Sequence, residues 1–313
     1  MKYLIYRCSG GFAHNLSGLE FIISVAKKKN MKVLIDYSYS IWNTARLLDY
    51  FIINENVDIK EYDKSFETNQ LMHSKYNNKY TLKEILKNNN SIKNGHFYLG
   101  EMKVSCKSHF DEMLNNNKHN NDFIVYAGTG PLNPTLNIKL LEKYKNDIKD
   151  KFKNLLIEKN NYISIHFRNT DIKSDINQYI NSINFISKEK NIKNIFIATD
   201  DKKSINNFKE KFKNLNIFYV NDIIQVSGNL HYSEKNKKKL LFDMINDIYM
   251  ILNSSYFLPS GSSGLSRWII SMIENNNNIF DLKHKCKIPI IGRANWSMTM
   301  YKEQWALQQE QKK

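Results

Sequence analysis

Short apolar runs alternate with amphipathic stretches along most of the chain. The runs have the length of strands, and they read YLIY, KVLID, HFYL, FIVYA, YISIHF, NIFIA, NIFYV and YFLP. Between many of them apolar residues recur at helical spacing, as in 16–29, 136–156 and 239–253. Strands that alternate with helices predict βαβ units and parallel sheets, so we predict an α/β fold.

The alternation also predicts two domains. It is most regular from Tyr162 to about Glu274, and a long charged helical stretch precedes it. A chain of 313 residues, 42% of them hydrophobic, is long enough to bury two cores of ordinary domain size. We therefore place a boundary near residue 155, between an N-terminal domain, 1–155, and a C-terminal domain, 156–313.

The basic character of the chain points first to a polyanionic partner. The formal charge is +15 and the pI is near 9.4, which is typical of proteins that bind nucleic acid or phosphate-rich ligands. Many lysines, however, lie in Asn/Lys-rich stretches such as NKHNND and EKNKKK, which are typical of solvated surfaces. The sequence lacks helix-turn-helix, RNP-like and zinc patterns. We therefore expect no nucleic-acid partner and keep a basic nucleic-acid-binding protein as an alternative.

Cysteine usage and hydropathy lead us to expect a cytoplasmic protein without a membrane span. Cys8, Cys106 and Cys286 are far apart and form no CxxC pair, so neither a zinc site nor a disulfide framework is expected. The N-terminus MKYLIYRCSGG lacks the longer apolar core of a signal peptide. No stretch approaches the roughly 18 to 20 apolar residues of a membrane span.

Three apolar runs end in clusters of polar residues, the first of them at YISIHF. This run contains His166 and continues into Arg168, Asn169, Thr170 and Asp171. In open α/β sheets ligands bind in the crevice at the carboxyl ends of the strands. This polar cluster is therefore a candidate site.

The other two clusters each allow two interpretations. Asp200 and Asp201, after NIFIAT, form either a helix cap, which we favour, or a carboxylate pair for a metal ion or acid–base chemistry. After YFLP, a Ser/Gly-rich turn opens a helix and fits either a phosphate group or ordinary capping. Its polar residues are Ser262, Ser263, Ser266 and Arg267. The turn GGFAHN at 10–15 likewise predicts either a binding turn for an anion or sugar hydroxyl, or a structural turn.

In their order along the chain, these motifs resemble those of the α1,6- and protein O-fucosyltransferases, a group of glycosyltransferases that includes the bacterial nodulation fucosyltransferases. The group's motif close to His-x-Arg-Arg-Thr-Asp is matched by HFRNTD at 166–171, with Asn169 at the second arginine. Its glycine-rich turn is echoed by GGFAHN. The resemblance implies an α/β, GT-B-like fold in which two Rossmann-like lobes with parallel sheets face a cleft. It also implies an acceptor-side N-terminal lobe, a C-terminal lobe that binds the nucleotide sugar, and an inverting transfer from GDP-fucose without a metal ion or cofactor.

The resemblance assigns roles to individual residues. Arg168 meets the charge that develops on the diphosphate as GDP leaves, because its planar guanidinium binds bidentately. Asp247, otherwise a solvated helix residue, accepts hydrogen bonds from the guanine edge. The general base is Asp175, with His14 of the N-terminal lobe as the alternative. The full set expected to bind the nucleotide sugar is Gly10, Gly11, Phe12, His166, Arg168, Asp200, Asp201, Asp247, Ser262, Ser263 and Arg267.

Asn169 keeps two alternatives open. A transferase that uses another nucleotide sugar would explain the departure from the second arginine, and so would a nucleotide-sugar-binding protein without turnover. The acceptor is also open among glycan, lipid-linked sugar, peptide and small molecule, and we expect a carbohydrate or glycoconjugate.

Overall fold

The structure, a computed structural model, divides into two compact units. The first unit comprises Met1–Arg46 and Asn54–Leu132, and the second comprises Leu47–Ile53 and Asn133–Lys313. The residues that the structure describes are 3–7, 11–37, 46–62, 71–73, 79–81, 96–99, 102–104, 123–127, 136–169, 174–222, 237–260, 263–273 and 278–279.

Strands and helices alternate most regularly in the second unit. In chain order the elements are β1 (Tyr3–Arg7), α1 (Phe12–Lys29), β2 (Lys32–Asp36), a 3₁₀ turn (Leu47–Asp49), β3 (Phe51–Ile53), β4 (Ile59–Glu61), β5 (Leu71–His73), β6 (Lys79–Thr81), β7 (His96–Leu99), β8 (Met102–Val104), β9 (Phe123–Ala127), β10 (Ile138–Leu140), α2 (Glu142–Lys151), α3 (Lys153–Glu158), β11 (Tyr162–Phe167), α4 (Ile176–Lys190), β12 (Asn194–Thr199), α5 (Lys202–Lys211), β13 (Asn216–Phe218), α6 (Lys237–Leu252), β14 (Tyr256–Leu258), α7 (Gly264–Met272) and β15 (Asn278–Ile279). None of the helices in the described ranges is long and apolar enough to cross a membrane.

The described part of the first unit is built on a six-stranded sheet. Its strand order is β4-β2-β1-β9-β7-β8. The strands β4, β2, β1 and β9 run parallel, whereas β7 pairs antiparallel with both β9 and β8. A separate antiparallel pair is formed by β5 and β6.

The described part of the second unit is built on five parallel strands in the order β13-β12-β11-β14-β15. From β11 the chain extends the sheet on one side through β12 and β13. It then crosses to the other side of β11 to form β14. The strand order therefore reverses between β11 and β14.

Both faces of β11 are covered, which is why all six of its residues are apolar or hydrogen-bonded. Ile163, Ile165 and Phe167 face α4 and α5, where the Phe167 ring lies 5.3 Å from Tyr179 and 5.2 Å from Phe208. The alternate residues face α6 and α7, and the Tyr162 hydroxyl donates to the Met250 carbonyl at 2.5 Å. Buried parallel strands have this near-continuous apolar pattern.

The units divide between Leu132 and Asn133, upstream of the boundary near residue 155 that the sequence predicts. The intervening segment belongs with the second unit because β10 pairs with β3 and α2 lies against α6. Tyr50, just before β3, packs on Tyr144 of α2 and Phe242 of α6 at ring-centroid distances of 4.6 and 5.5 Å.

All eight apolar runs contribute to strands, and the α/β class is confirmed. The five-stranded sheet of the second unit is parallel as predicted, whereas HFYL forms β7, which pairs antiparallel in the otherwise parallel core of the first unit's sheet. The helical stretch expected at 136–156 is wrong at its start, because β10 occupies part of it and helix begins only at Glu142. Ile138 and Leu140 are buried while Lys139 between them is exposed, and this period of two suits a strand paired with β3.

Candidate functional site

Polar residues gather at one edge of the second unit's sheet. Its strands are parallel, so their carboxyl ends share this edge. Arg168 follows β11, Asp200 follows β12, Asn221 follows β13 and Ser260 follows β14. Ligands of open α/β sheets bind where the strand order reverses, which here is between β11 and β14. We call the ends of β11, β12 and β14, together with the first turn of α7, the strand-end site.

His166 is buried at the end of β11 and contacts α7. Its Nδ1 lies 2.7 Å from the Oγ of Ser266, and the same oxygen accepts a 3.0 Å hydrogen bond from the backbone N–H of Ser260. Burial, and then the nearby charge of Arg168, lower the pKa of His166 to about 3. The ring is therefore neutral at physiological pH, with one nitrogen that donates and one that accepts.

Tyr179 of α4 connects the ends of β11 and β14. Its buried hydroxyl donates to the carbonyl of His166 at 3.1 Å and lies 3.4 Å from the carbonyl of Pro259. These contacts fix the backbone on both sides of the strand-order reversal.

Asp175, the predicted general base, is the N-cap residue of α4. Its exposed carboxylate accepts a 2.9 Å hydrogen bond from the backbone N–H of Asn177. The preceding Ser174 has its Oγ 3.4 Å from the Oγ of Ser260, so Asp175 lies beside the strand-end site. The cap accounts for an aspartate here, and the catalytic role stays a prediction.

Arg168 lies beside Asp200, which also holds the backbone of the turn. The Nε of Arg168 is 3.9 Å from one carboxylate oxygen of Asp200, and 22% of the Arg168 side chain is exposed. The other oxygen of Asp200 accepts a 2.7 Å hydrogen bond from the backbone N–H of Asn169. Asp200 thus orients the guanidinium at the edge of the sheet, where part of it is open to solvent.

Asn169 occupies the position of the second arginine in the related motif, and its side chain forms hydrogen bonds within the protein. Its Nδ2 donates to Asp201 at 2.7 Å and lies 3.3 Å from the Oγ of Ser204. Asp201 also accepts a 3.1 Å hydrogen bond from the backbone N–H of Lys203, so it caps α5, as the sequence favours. The turns after β11 and β12 therefore form one hydrogen-bonded unit.

The N-terminus of α7 carries a buried hydroxyl group that has no partner among the described residues. Ser263 is the N-cap residue of α7 and is fully buried, yet its Oγ has no hydrogen-bond partner in the described part of the chain. Buried polar atoms are nearly always satisfied, and the N-terminus of a helix attracts anions. Arg267, one turn further along, is also buried. Ser262, Thr170 and Asp171 lie outside the described residues.

Asp247 projects from α6 toward the residues that follow β13. Asn221 donates from Nδ2 to its carboxylate at 2.7 Å and to the carbonyl of Asp243 at 2.8 Å. Burial first, and then the charge of Asp243, raise the pKa of Asp247 well above its ordinary value, although the hydrogen bond from Asn221 opposes the shift. Asp247 is thus a desolvated carboxyl group, and such groups are common at functional sites.

A cavity of about 540 Å³ lies between α2 and α6. Its lining includes the aromatic rings of Tyr144 and Phe242 as well as Asp243 and Asn246. Asn246 donates to the Oδ1 of Asn221 at 3.1 Å, which joins the cavity to the hydrogen bonds around Asp247. The cavity is therefore next to the proposed guanine-reading residue rather than at the ends of β11 and β14.

The residues expected from the glycine-rich turn lie in the first unit. Gly11 is the N-cap of α1 with φ −81° and ψ 176°, an extended conformation that does not require glycine. Phe12 is buried in the core, and His14 is exposed with its carbonyl 3.5 Å from the hydroxyl of Tyr6. Gly10 lies outside the described residues. Binding by this turn stays a prediction.

Sequence reasoning missed a buried ion pair at the carboxyl edge of the first sheet. Arg7 ends β1 and Asp36 ends β2, and the two residues are register partners. Both are buried, and the Nε of Arg7 lies 2.8 Å from a carboxylate oxygen of Asp36. The signal was present, because opposite charges end two apolar runs that the pattern predicts as strands of one parallel sheet. Removing either partner of a buried pair is strongly destabilising.

Within the described ranges, no three His, Cys, Asp or Glu side chains cluster as the ligands of a metal ion would. The carboxylates of the strand-end site are engaged instead by Arg168, by Asn169 and by the N-terminus of α5. The groups that could meet a negative ligand there are a cation and a helix N-terminus.

Solved structures share this architecture. No family model matches the sequence, and no curated protein does. Fucosyltransferase NodZ from Bradyrhizobium matches with a TM-score of 0.55 at 14% identity, over 92% of this chain and 99% of that chain. NodZ α1,6-fucosyltransferase soaked with GDP-fucose matches with a TM-score of 0.53 at 15% identity, over 92% and 98%. The protein O-fucosyltransferase POFUT1 in complex with GDP-fucose matches with a TM-score of 0.53 at 9% identity, over 89% and 97%.

The chain has the fold of these fucosyltransferases. The α/β fold that the resemblance of HFRNTD and its neighbouring motifs implies is thereby confirmed, and it matches the folds of GT-B fucosyltransferases. At identities of 9–15% the likeness concerns the fold alone.

Asp247→Asn should stabilise the protein at neutral pH. The folded-state pKa of Asp247 is raised above the unfolded value, so its contribution to stability is fully present below the ordinary carboxyl pKa and is lost as the pH rises from there through the raised folded-state pKa. Asparagine keeps an oxygen for the Asn221 hydrogen bond and does not ionise. Thermal unfolding from pH 4 to pH 8 should show a gain in Tm that grows with pH. The exposed Asp222→Asn is the control, and a gain for Asp247→Asn that is absent or independent of pH would contradict the prediction.

Proposed function

We propose that this chain is a glycosyltransferase that transfers fucose from GDP-fucose to a hydroxyl group of a carbohydrate or glycoconjugate acceptor. One observation carries the proposal: the strand-order reversal is flanked by a partly exposed arginine and by a helix N-terminus whose buried hydroxyl has no partner among the described residues. The proposal is supported by the fold, which is shared with NodZ soaked with GDP-fucose and with POFUT1 in complex with GDP-fucose.

The proposed reaction depends on stabilising the departing diphosphate. The acceptor oxygen attacks the anomeric carbon, the bond from that carbon to the phosphate oxygen breaks, and GDP leaves with the electron pair. Attack from the opposite side inverts the anomeric carbon. Arg168 and the first turn of α7 meet the negative charge that grows on GDP, and such preorganised groups lower the barrier. Arginine suits this role because its planar fork binds two phosphate oxygens at once.

Asp247 supports the choice of guanine as the base. A carboxylate accepts hydrogen bonds from the N1–H and the 2-amino group of guanine, which adenine does not offer together. The free carboxyl group is desolvated, with its pKa raised. Two N–H donors from a ligand favour its ionised form, so guanine binding and ionisation of Asp247 reinforce each other.

The acceptor proton needs a base within hydrogen-bond reach. Asp175 is an exposed carboxylate, and its neighbour Ser174 contacts Ser260 of the strand-end site. His14 is also exposed but belongs to the first unit. We therefore retain Asp175 as the proposed base and His14 as the alternative.

Asn169 favours two alternatives, a transferase that uses a different nucleotide sugar and a protein that binds a nucleotide sugar without turnover. Its side chain donates to Asp201 and Ser204 and supplies no cation, so position 169 gives less help to a departing diphosphate than an arginine. A nucleotide sugar whose sugar leaves without a second arginine would fit this arrangement, and so would a protein that binds a nucleotide sugar without transferring it.

Arg168→Lys should lower kcat with GDP-fucose by about 10² or more while weakening GDP-fucose binding less. Lysine keeps the charge but loses the planar fork, and an interaction that strengthens in the transition state appears chiefly in the rate. Release of GDP in a coupled assay gives kcat, and calorimetry gives affinity. Arg46→Lys, at a largely exposed arginine of the first unit, is the matched control. A folded Arg168→Ala variant with the wild-type rate would refute the proposal.

EDTA should leave GDP binding and transfer unchanged. The proposal meets the phosphate charge with Arg168 and the α7 N-terminus, so neither step needs a divalent cation. Parallel assays of the dialysed protein with EDTA, with Mg²⁺ and with Mn²⁺ measure this. Strict dependence of transfer on either cation contradicts the metal-independent mechanism.

A further inference from the structure

Ser266 is the residue of α7 that contacts His166. It is fully buried in the first turn of α7, between the end of β11 and the backbone that follows β14. In the described part of the chain, its Oγ has two hydrogen-bond partners: the backbone N–H of Ser260 at 3.0 Å and the Nδ1 of His166 at 2.7 Å. The His166 ring is held by β11, the Ser266 hydroxyl by α7, and the Ser260 N–H by the backbone that follows β14.

The proton positions in this chain of contacts follow from a count of donors and acceptors. The backbone N–H of Ser260 can only donate, so it occupies one lone pair of the Ser266 oxygen. The Ser266 hydroxyl then has one proton to place. If it donates that proton to Nδ1, both contacts of the Ser266 oxygen are satisfied, and His166 carries its own proton on Nε2, which no described residue accepts.

The opposite arrangement leaves the fully buried Ser266 hydroxyl without an acceptor in the described part of the chain. If His166 carried its proton on Nδ1, the ring would donate to the Ser266 oxygen, and the Ser266 hydroxyl proton would have no acceptor among the described residues. Ser266 is fully buried whereas His166 keeps 7% of its surface exposed, so an unsatisfied proton costs more on the Ser266 hydroxyl than on Nε2. The geometry therefore selects the tautomer with the proton on Nε2.

We propose that Ser266 is a positioning residue that holds His166 as the neutral Nε2–H tautomer, so that the ring donates a hydrogen bond to an oxygen of the bound guanosine nucleotide. The second half of this statement rests on the proposed function. Nδ1 is occupied by Ser266, so Nε2 is the ring nitrogen that meets a ligand. His166 is thereby a hydrogen-bond donor beside Arg168 and is not the base of the reaction.

The neutral state of the ring agrees with its surroundings. His166 is 7% exposed and Arg168 follows it two residues later, so burial and a neighbouring cation both oppose a second positive charge. The donor role therefore uses the N–H of a neutral ring, in the manner of a backbone amide.

The tautomer can be read directly by ¹⁵N NMR of the full-length protein. The chain has eight histidines, so His166→Gln identifies the His166 ring signals by their loss. In the ligand-free wild type at pH 7.5, Nε2 should show the shift and one-bond coupling of a protonated nitrogen, and Nδ1 those of an acceptor. A protonated Nδ1 would overturn the proposal, whatever the protein binds.

Variants separate positioning from folding. Ser266→Ala should shift the ring toward the Nδ1–H tautomer and weaken GDP binding in proportion to the donating tautomer that is lost, by about 10-fold where one molecule in ten retains it. Ser266→Thr keeps the hydroxyl and should keep the tautomer and most of the affinity. Ser271→Ala, on the exposed side of the same helix, is the control.

The experiments distinguish failure of the proposed role of His166 from failure of the proposed function. A Ser266→Ala variant with an altered tautomer and unchanged GDP affinity would refute the donor role while leaving the proposed function intact. Failure of the wild type to bind GDP would refute the proposed function, and the NMR spectrum would still decide the tautomer. If Ser266→Ala does not fold, the wild-type spectrum and Ser266→Thr decide the proposal.

Discussion

The register of β11 between β12 and β14 is the constraint on which the candidate site depends. The side-chain period of a strand is two, so a slip of one residue would exchange the core face with the other face. Ile163, Ile165 and Phe167 pack against α4 and α5 and hold the register. His166 consequently faces α7, and Arg168 follows on the same side at the edge of the sheet. The apolar core thus determines where the polar site forms.

Hydrogen bonds then couple the strand ends to the helices that follow them. Asp200 and Asp201 hold the turn after β11 through Asn169, while Tyr179 and Ser266 hold the ends of β11 and β14. Because these groups are buried or partly buried, leaving one unpaired costs more than the bond itself contributes. The Oγ of Ser263 has no partner among the described residues, and a bound anion would satisfy it.

The strands and the positions of the motifs could be predicted because they depend on local pattern. Period and turn residues located β11, β12 and β14, and the carboxyl-edge rule brought their polar ends together. Partnerships across the sheet could not be predicted, since no local signal links His166 to Ser266 or Asn169 to Asp201. The prediction of a helix over 136–156 was wrong at its start because residues 138–140 form a strand that pairs with β3, which is distant in the sequence. Asp201 was identified as a cap because capping is local.

The central claim is that the second unit binds a guanosine diphosphate sugar, and a thermal-shift titration of the full chain with GDP-fucose, GDP, GDP-mannose, UDP-sugars and dTDP-sugars tests it most directly. A ligand at 100 times its dissociation constant raises the free energy of unfolding by about 2.7 kcal/mol. The account predicts saturable stabilisation by GDP and GDP-fucose, and none by the uridine and thymidine compounds at the same concentrations. Stabilisation by UDP- or dTDP-sugars without stabilisation by GDP, or by none of the nucleotides, would contradict it.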